Sequence, residues 1–239
     1  MPDVTVILPM YNEALTAESA LTVADGYFRS RGIRTETIVV NDGSTDQTAV
    51  VLDRLKPRFG FSLIAWERNR GKGAALRAAM AQGTGDCQFF MDTDLSTPIE
   101  EFDKFLPYLK IGDEVIIGSR RLEESRVLVR QNLIRQTMGN FYCHMVYRWL
   151  THCVEDFNCG FKLFRRDAAR RIFSKLTIDR WGYDVEALFL ADKFRYRIRE
   201  IPVIWRNNPH TRVHPLIDAC RTTAELLKIR WNDWRGRYD

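Results

Sequence analysis

Short apolar runs alternate with helical patterns along the first half of the chain. Runs rich in Val and Ile that lie between helices are typical of buried parallel strands. Five such runs occur before residue 120, at positions 4–8, 35–41, 61–67, 87–92 and 114–119. Helices are expected to follow the first four runs, beginning near Asn12, Ser44, Lys72 and Thr97. The pattern predicts an α/β fold with a single, mostly parallel central sheet flanked by helices.

The pattern changes after Arg120, where a polar segment at 120–131 precedes an apolar-rich helix at roughly 132–150. A strand, two helices, an alternating strand and a last helix are predicted next, at 160–164, 166–176, 182–193, 197–205 and 215–234. No internal repeat or low-complexity linker separates the two halves. We therefore expect one domain over residues 1–239, with a helical, basic C-terminal part.

The composition is that of a soluble globular protein. The 239 residues are 45% apolar and 28% charged, which excludes wholesale disorder and collagen-like structure. No apolar run approaches the ~20 residues of a membrane span, and the first strand begins without the basic segment of a signal peptide. The five cysteines are odd in number and scattered. These features predict a reducing, cytoplasmic location and no zinc site.

Charge is distributed unevenly along the chain. Residues 1–119 contain 12 Lys and Arg against 17 Asp and Glu, whereas residues 120–239 contain 24 against 14. An acidic half followed by a basic half suggests a metal on one side and an anionic ligand or surface on the other. A nucleic-acid-binding module is the alternative from another class. It lacks a recognisable binding motif and does not explain the DTD segment at residues 92–94.

Polar, Gly-rich segments follow all five predicted strands of the first half. Ligands of open α/β sheets bind outside the carboxyl ends of the strands, so these segments are expected to form a site. They read PMYNE (9–13), NDGSTD (41–46), RNRGKG (68–73), DTD (92–94) and GSRR (118–121).

Of the five segments, the DTD segment gives the most specific indication of its chemistry. Residues i and i+2 of an extended segment point the same way, so Asp92 and Asp94 can converge on one cation. Two carboxylates with no His or Cys nearby suit Mg²⁺ or Mn²⁺, completed by water and phosphate oxygens. An ordinary turn is the alternative interpretation of the same residues.

These segments resemble a known family. PMYNE, NDGSTD, NRGKGAA and DTDLSTP, in this order and spacing, are similar to glycosyltransferase family 2 with the GT-A fold. In the second half, GSRR, DFNCGFKLFRRDAA and RWGYDVEAL resemble the dolichyl-phosphate glucosyltransferase branch, close to the dolichyl-phosphate mannose synthases. The resemblance implies inverting, metal-dependent transfer of glucose from UDP-glucose to a polyprenyl or dolichyl phosphate at a membrane surface. A soluble family-2 enzyme that uses GDP-mannose or another donor and a hydroxyl acceptor is the alternative.

The resemblance also implies roles for individual residues. Residues 1–119 would form the nucleotide-sugar and metal half, with Asp92 and Asp94 as metal ligands and Asp94 also catalytic. The donor would be bound by Pro9, Tyr11, Glu13, Asp42, Lys72 and Asp92. Residues 120–239 would form the acceptor half. Its phosphate would be bound by Arg120, which is also catalytic, and by Arg135, Arg206 and Arg212.

Asp156 and Asp184 are the remaining catalytic candidates. A hydroxyl acceptor would need one of them as general base. A polyprenyl phosphate is already an anion at neutral pH, so its reaction depends on cations that hold it in line. In that case Asp156 and Asp184 orient Arg residues or the sugar instead.

The last helix carries an apolar stripe beside basic residues. A stripe of this kind predicts a helix that lies on a lipid surface, or a helix packed on the core. The first interpretation implies a peripheral protein on the cytoplasmic face of a membrane, and both remain open. The stripe consists of Leu216, Cys220, Thr223, Leu227, Trp231 and Trp234.

Overall fold

The strands follow the apolar runs of the sequence. The computed structural model describes residues 1–129, 133–206 and 215–239. Nine strands lie within these residues: Val4–Met10 (β1), Thr35–Asp42 (β2), Ser62–Trp66 (β3), Cys87–Met91 (β4), Val115–Ser119 (β5), Arg126–Val129 (β6), Phe161–Arg165 (β7), Ile198–Pro202 (β8) and Ile204–Arg206 (β9).

Helices connect most of these strands. A 3₁₀ helix spans Ile99–Lys104. The α-helices are Ala17–Ser30 (α1), Thr48–Phe59 (α2), Lys72–Gln82 (α3), Leu106–Lys110 (α4), Leu133–Trp149 (α5), Arg166–Lys175 (α6), Tyr183–Lys193 (α7) and Pro215–Trp234 (α8). No helix in the described part of the chain is both long and apolar enough to cross a bilayer.

Seven strands form one sheet in the order β3-β2-β1-β4-β7-β5-β8. Every neighbouring pair in it is parallel except those of β7, which runs antiparallel to β4 and to β5. Strands β2 and β3 are added in turn on one side of β1, and β4 then pairs with β1 on its other side. This reversal opens a crevice at the carboxyl ends of β1 and β4, where ligands of such sheets bind. The mostly parallel sheet flanked by helices confirms the predicted fold class.

Two apolar cores cover the two faces of the sheet. Phe90 packs in the core that includes α3, α6 and α7, whereas its neighbour Phe89 packs in the core that includes α1. Successive side chains of a strand point to opposite faces, so a strand buried on both sides must be apolar throughout. This is why the strands appear in the sequence as continuous apolar runs.

Helices α1 and α2 begin later than their predicted starts near Asn12 and Ser44. Asn12 adopts a left-handed backbone with φ 56°. Its N–H donates to Ser44 Oγ at 2.9 Å, and its Oδ1 accepts from the N–H of Thr45 at 2.7 Å. These bonds tie the two loops after β1 and β2 together. The residues are therefore loop residues rather than first turns of helices.

Three other expectations in the chain path were wrong. The element predicted to begin near Thr97 is the 3₁₀ helix, preceded by an extended Pro98 with ψ 141°. The strand predicted at 197–205 divides at Val203 into β8 and β9, which belong to different sheets. The polar segment 120–131 contains β6, which pairs with β9 in a separate two-stranded sheet. The pairing with β9 is long-range, so local pattern did not reveal β6.

Candidate active site

The DTD segment lies where β4 ends, beside the crevice. The N–H of Asp92 donates to the carbonyl of Gly160 at 3.1 Å, and the N–H of Ser96 donates to Asp94 Oδ1 at 2.9 Å. Leu95, between them, has φ 54°, a left-handed backbone that a bulky side chain rarely adopts. Strain of this kind collects at functional sites, where the surrounding structure enforces it. The turn interpretation is therefore correct for the backbone of this segment, and the predicted role of Asp94 as a metal ligand stays a prediction.

Asp92 and Asp94 form a pair of interacting carboxylates. Burial and the nearby Asp92 carboxylate raise the pKa of Asp94 above its ordinary value. Among the described residues, no third His, Cys, Asp or Glu joins them as a metal ligand. Two crowded carboxylate oxygens fit a hard divalent cation whose other positions are filled by water and diphosphate oxygens. They do not fit a metal held by the protein alone.

Gly160 makes room for Asp92. A Cβ built on Gly160 would collide with the Asp92 carboxylate, so only glycine leaves that side chain in place. Gly160 comes just before β7, the antiparallel strand that pairs with β4. Its role depends on this pairing, which is why sequence analysis did not single it out.

Lys72 reaches Asp92 from the start of α3. Its ammonium forms an ion pair with Asp92 Oδ1 and lies 5.8 Å from the ring centres of Phe90 and Tyr183. Burial alone would lower the pKa of Lys72, but the carboxylates of Asp92 and Asp184 outweigh it and raise that pKa. Lys72 therefore carries a positive charge beside the DTD turn.

The glycine loop before α3 fits closely against the segment before α7. Gly71 has φ 106°, and a Cβ there would overlap the carbonyl oxygen of Asp179. A Cβ on Gly73 would lie 2.7 Å from Cβ of Tyr183. The glycines therefore permit a close backbone approach that holds Lys72 against the DTD turn.

Asp184 is paired inside the protein with Lys162. Lys162, on β7, is 1% exposed and also donates to the carbonyl of Phe157 at 2.9 Å. Sequence analysis did not select Lys162. The available signal was a single lysine within the apolar strand FKLF, because a buried ammonium requires a partner.

Asp156 is fully buried and bound to Arg120. Its Oδ2 accepts from the N–H and from Nε of Arg120 at 2.9 and 2.7 Å, and its Oδ1 accepts from Nη2 at 2.7 Å. Burial alone would raise the pKa of Asp156, but the Arg120 guanidinium holds it to about 2. A carboxylate held this way is a weak base. This ion pair favours the orienting role for Asp156 over that of a general base, and both roles stay predictions.

Arg120 retains capacity for a ligand. Its side chain lies 5.3 Å from the ring centre of Trp205, at the start of the segment that carries Arg206. Nε and Nη2 of Arg120 face Asp156, and Nη1 lies outside that ion pair. The N–H of Arg206 donates to the carbonyl of Ser96 at 2.8 Å, which brings β9 beside the DTD turn. Trp205 was not anticipated from the sequence, because β9 reaches the site through tertiary pairing.

The other acceptor residues cannot be placed in the same way. Arg212 lies outside the described residues. Arg135 belongs to α5, and its side chain also lies outside them. Their predicted contact with an acceptor phosphate stays a prediction.

Asp42, at the end of β2, is bonded to the glycine loop. It is buried, and its carboxylate accepts from Asn69 Nδ2 at 2.9 Å and from the N–H groups of Arg70 and Gly71 at 2.6 and 2.9 Å. Burial raises its pKa, and these hydrogen bonds partly offset the effect. Asp42 therefore organises the glycine loop, and its contact with a base stays a prediction.

The residues expected to line the nucleoside pocket lie at the exit of β1. Pro9, Tyr11 and Glu13 are half-buried. The N–H of Glu13 donates to Thr48 Oγ1 at 2.8 Å, which links this exit to α2. The three residues lie on the same edge of the sheet as Asp92, and their contact with a donor stays a prediction.

The chain is similar to characterised enzymes along nearly its whole length. It is 31% identical to the dolichyl-phosphate β-glucosyltransferase of Homo sapiens over 240 residues, which covers 95% of this chain and 74% of the relative. It is 30% identical to the enzyme of the same name from Drosophila melanogaster over 241 residues, with the same two coverages.

Solved structures show the same fold. Glucosyl-3-phosphoglycerate synthase from Mycobacterium tuberculosis, in complex with UDP, superimposes with a TM-score of 0.67 at 20% identity. The match covers 95% of this chain and 80% of that one. Mannosyl-3-phosphoglycerate synthase from Rubrobacter xylanophilus gives a TM-score of 0.66 at 16% identity, covering 99% and 76%. These likenesses confirm the GT-A fold.

The model of the family "Glycosyl transferase family 2" matches residues 5–173. This range contains the DTD turn, the glycine loop and the Arg120–Asp156 pair. The predicted family and enzyme class are thereby confirmed: the chain is a glycosyltransferase and belongs to glycosyltransferase family 2.

Proposed function

We propose that this enzyme transfers glucose, with inversion, from UDP-glucose to dolichyl or another polyprenyl phosphate. One observation carries the proposal: a pair of carboxylates and a guanidinium fixed by an ion pair lie at the same edge of the sheet. Asp92 and Asp94 provide the carboxylates, and Arg120 provides the guanidinium. The relatives' name, dolichyl-phosphate β-glucosyltransferase, supplies the sugar and the acceptor.

The donor half suits a nucleoside diphosphate bound with a divalent cation. Asp92 and Asp94 would hold Mg²⁺ or Mn²⁺, and a bound cation would neutralise charge on the departing diphosphate. The fold relative from Mycobacterium tuberculosis was also solved with Mn²⁺ and UDP together, which supports this choice of ligands. Lys72 adds a protein cation beside Asp92.

The charges on the acceptor side favour a phosphate over a hydroxyl. A hydroxyl acceptor needs a general base, and both candidates are engaged: Asp156 by Arg120 and Asp184 by Lys162. A phosphate oxygen attacks the anomeric carbon without losing a proton, so it needs a cation for position rather than a base. Arg120 suits this task, because a planar guanidinium binds phosphate oxygens through parallel N–H groups.

A lipid-phosphate acceptor implies work at a membrane surface. We extend the proposal to a peripheral enzyme on the cytoplasmic face, where nucleotide sugars are supplied. The nucleic-acid alternative gains no support, because it leaves the carboxylate pair and the Arg120–Asp156 pair unexplained.

The test offers purified enzyme UDP-glucose with polyprenyl phosphate or the corresponding polyprenol, with Mn²⁺ or with EDTA. We expect glucose to be transferred only to polyprenyl phosphate and only when Mn²⁺ is present. NMR of the product should show a β linkage. GDP-mannose in place of UDP-glucose tests the donor. Equal transfer to polyprenol and its phosphate would refute the anionic nucleophile, and full activity in EDTA would refute the metal.

A further inference from the structure

The outer face of α8 exposes large apolar side chains. Leu227, Trp231 and Trp234 are 56%, 53% and 75% exposed, and the two tryptophan rings lie 5.2 Å apart between their centres. The opposite face of the same helix is packed, because Leu226 and Ile229 are buried in the core. One face of this helix therefore packs on the core and the other faces solvent, and its predicted contact with a lipid surface stays a prediction.

The end of α5 extends this apolar face. Tyr147 and Trp149 are each 43% exposed, and Arg230 of α8 donates to the carbonyl of Trp149. We call the exposed apolar side chains of these two contacting helices the aromatic surface, which consists of Tyr147, Trp149, Leu227, Trp231 and Trp234. Large contiguous patches of this kind mark interaction sites.

Basic groups outnumber carboxylates around the aromatic surface. Asp233 and Asp239 both pair with Lys193, and Asp233 also pairs with Arg230 at 3.5 Å. Basic groups remain around the tryptophans, where Lys228 and Arg230 line a shallow groove with Leu227, Trp231 and Trp234. Arg235 lies 5.3 Å from the Trp231 ring centre. The resulting face is aromatic and cationic.

We propose that this aromatic surface docks on an anionic lipid bilayer. Tryptophan rings favour the boundary between headgroups and acyl chains, and arginine and lysine are attracted to anionic headgroups. Charge complementarity selects this occupant over a second copy of the chain, because two copies would bring like charges together. The inference rests on the proposed function, which requires a membrane-resident acceptor.

The same helix also contacts the start of α7. Glu225 accepts from the N–H of Gly182 at 2.8 Å, and Gly182 is the residue before α7, which carries Asp184. Glu225 lies two residues before Leu227, so one helix links the proposed lipid surface to the helix that carries Asp184. Docking through α8 would hold the site at a fixed height over the headgroups.

Vesicle binding of the full chain tests the proposal. Wild-type protein is expected to bind phosphatidylcholine vesicles containing about 30% phosphatidylserine, with a blue shift of tryptophan fluorescence, and to bind pure phosphatidylcholine more weakly. The double variant Trp231→Ala/Trp234→Ala should lose binding by at least about tenfold. Arg235→Glu keeps both tryptophans and should weaken binding to the anionic vesicles. The matched control Val50→Ala/Ile111→Ala removes exposed apolar side chains elsewhere and should bind as wild type does.

Activity assays separate this proposal from the proposed function. The double variant should transfer glucose normally to a short, water-soluble polyprenyl phosphate and poorly to a long-chain acceptor in vesicles. Vesicle binding without transfer to any lipid phosphate would overturn the proposed function and leave the docking surface standing. Equal vesicle binding by wild type and the double variant would overturn the docking surface. The docking surface would also be overturned if the wild-type protein formed a dimer that the double variant could not form, and if neither protein bound vesicles.

Discussion

Asp156 holds Arg120 through both of its carboxylate oxygens. Nε and Nη2 of Arg120 donate to Oδ2 and Oδ1 at 2.7 Å each, and the carboxylate is fully buried. Arg120 follows β5, whereas Asp156 comes from the segment before β7. A guanidinium held on one edge loses little freedom when its other edge binds a phosphate, so under the proposed function Asp156 would act on the reaction through Arg120.

Replacing Asp156 by Asn should release Arg120. The substitution keeps the size of the side chain but leaves the guanidinium without a counter-charge. We expect a loss of about 2 kcal/mol of unfolding free energy, below that of a fully buried pair because Arg120 is partly exposed. Acceptor KM should rise or kcat should fall, with UDP binding unchanged. Chemical denaturation and steady-state kinetics measure both effects, and Arg120→Lys should retain part of the activity. Weakened UDP binding would contradict the assignment.

The pKa of Asp156 predicts its pH behaviour. Its folded-state pKa of about 2 lies below the ordinary value of 3.8, so the pair stabilises the fold fully above the ordinary value. That stabilisation is lost only as the pH falls toward 2. Between about pH 5 and 8, the rate profile should therefore contain no ionisation of Asp156. Asp156→Asn should lower this profile without changing its shape. Disappearance of an acid limb in the variant would identify Asp156 as a base.

Asp94→Asn isolates the charge of the DTD turn. The amide oxygen of Asn can still accept from the N–H of Ser96, so the turn is expected to survive. Loss of one carboxylate from a diphosphate-bridging metal site should reduce transfer by at least about 100-fold, or about 3 kcal/mol. Titration of UDP with and without Mn²⁺ should show that the variant has lost the metal-dependent part of binding. Wild-type enzyme in EDTA should show the same loss of UDP binding. Metal-dependent UDP binding by Asp94→Asn at the wild-type level would refute the role of Asp94 as a metal ligand.

Gly160→Ala should disturb Asp92 while sparing the fold. The three atoms nearest to the added Cβ all belong to the Asp92 carboxylate group. This side chain can move, so it is expected to rotate away. We expect a small change in thermal stability and a loss of activity of at least about tenfold. Gly26→Ala is the control, because a Cβ on Gly26, within α1, meets open space and alanine favours a helix. Normal activity of Gly160→Ala would mean that the position of Asp92 is not critical.

Lys162→Met should leave Asp184 as an uncompensated buried charge. Removing one partner of a buried ion pair costs about 3–5 kcal/mol of stability. The double variant Lys162→Met/Asp184→Asn removes both charges and should recover most of that stability. Activity should stay low in the double variant if Asp184 orients a ligand. Thermal denaturation and transfer assays distinguish the two effects, and a fully active double variant would assign the pair to stability alone.

Local pattern determined much of the fold. Continuous apolar runs predicted β1 to β5 and β7, since strands covered on both faces must be apolar at every position. The strand exits predicted the DTD turn and the glycine loop, because their chemistry is contiguous in the chain. The charge imbalance predicted an anionic partner for the second half. The extent of the single domain and the division of donor and acceptor roles at residue 120 remain predictions.

Tertiary structure decided which side chains contact each other. Asp156 and Asp184 look alike in the sequence, yet each is neutralised by a cation 22 or more residues away. The space for Asp92 depends on Gly160 across the β4–β7 pairing, and Trp205 approaches Arg120 through β9. Hydrophobic periodicity is set by the burial of each residue's own element, so it is readable locally. Ion pairs, close glycine contacts and the exposed face of α8 depend on which elements meet, and only the folded chain determines that.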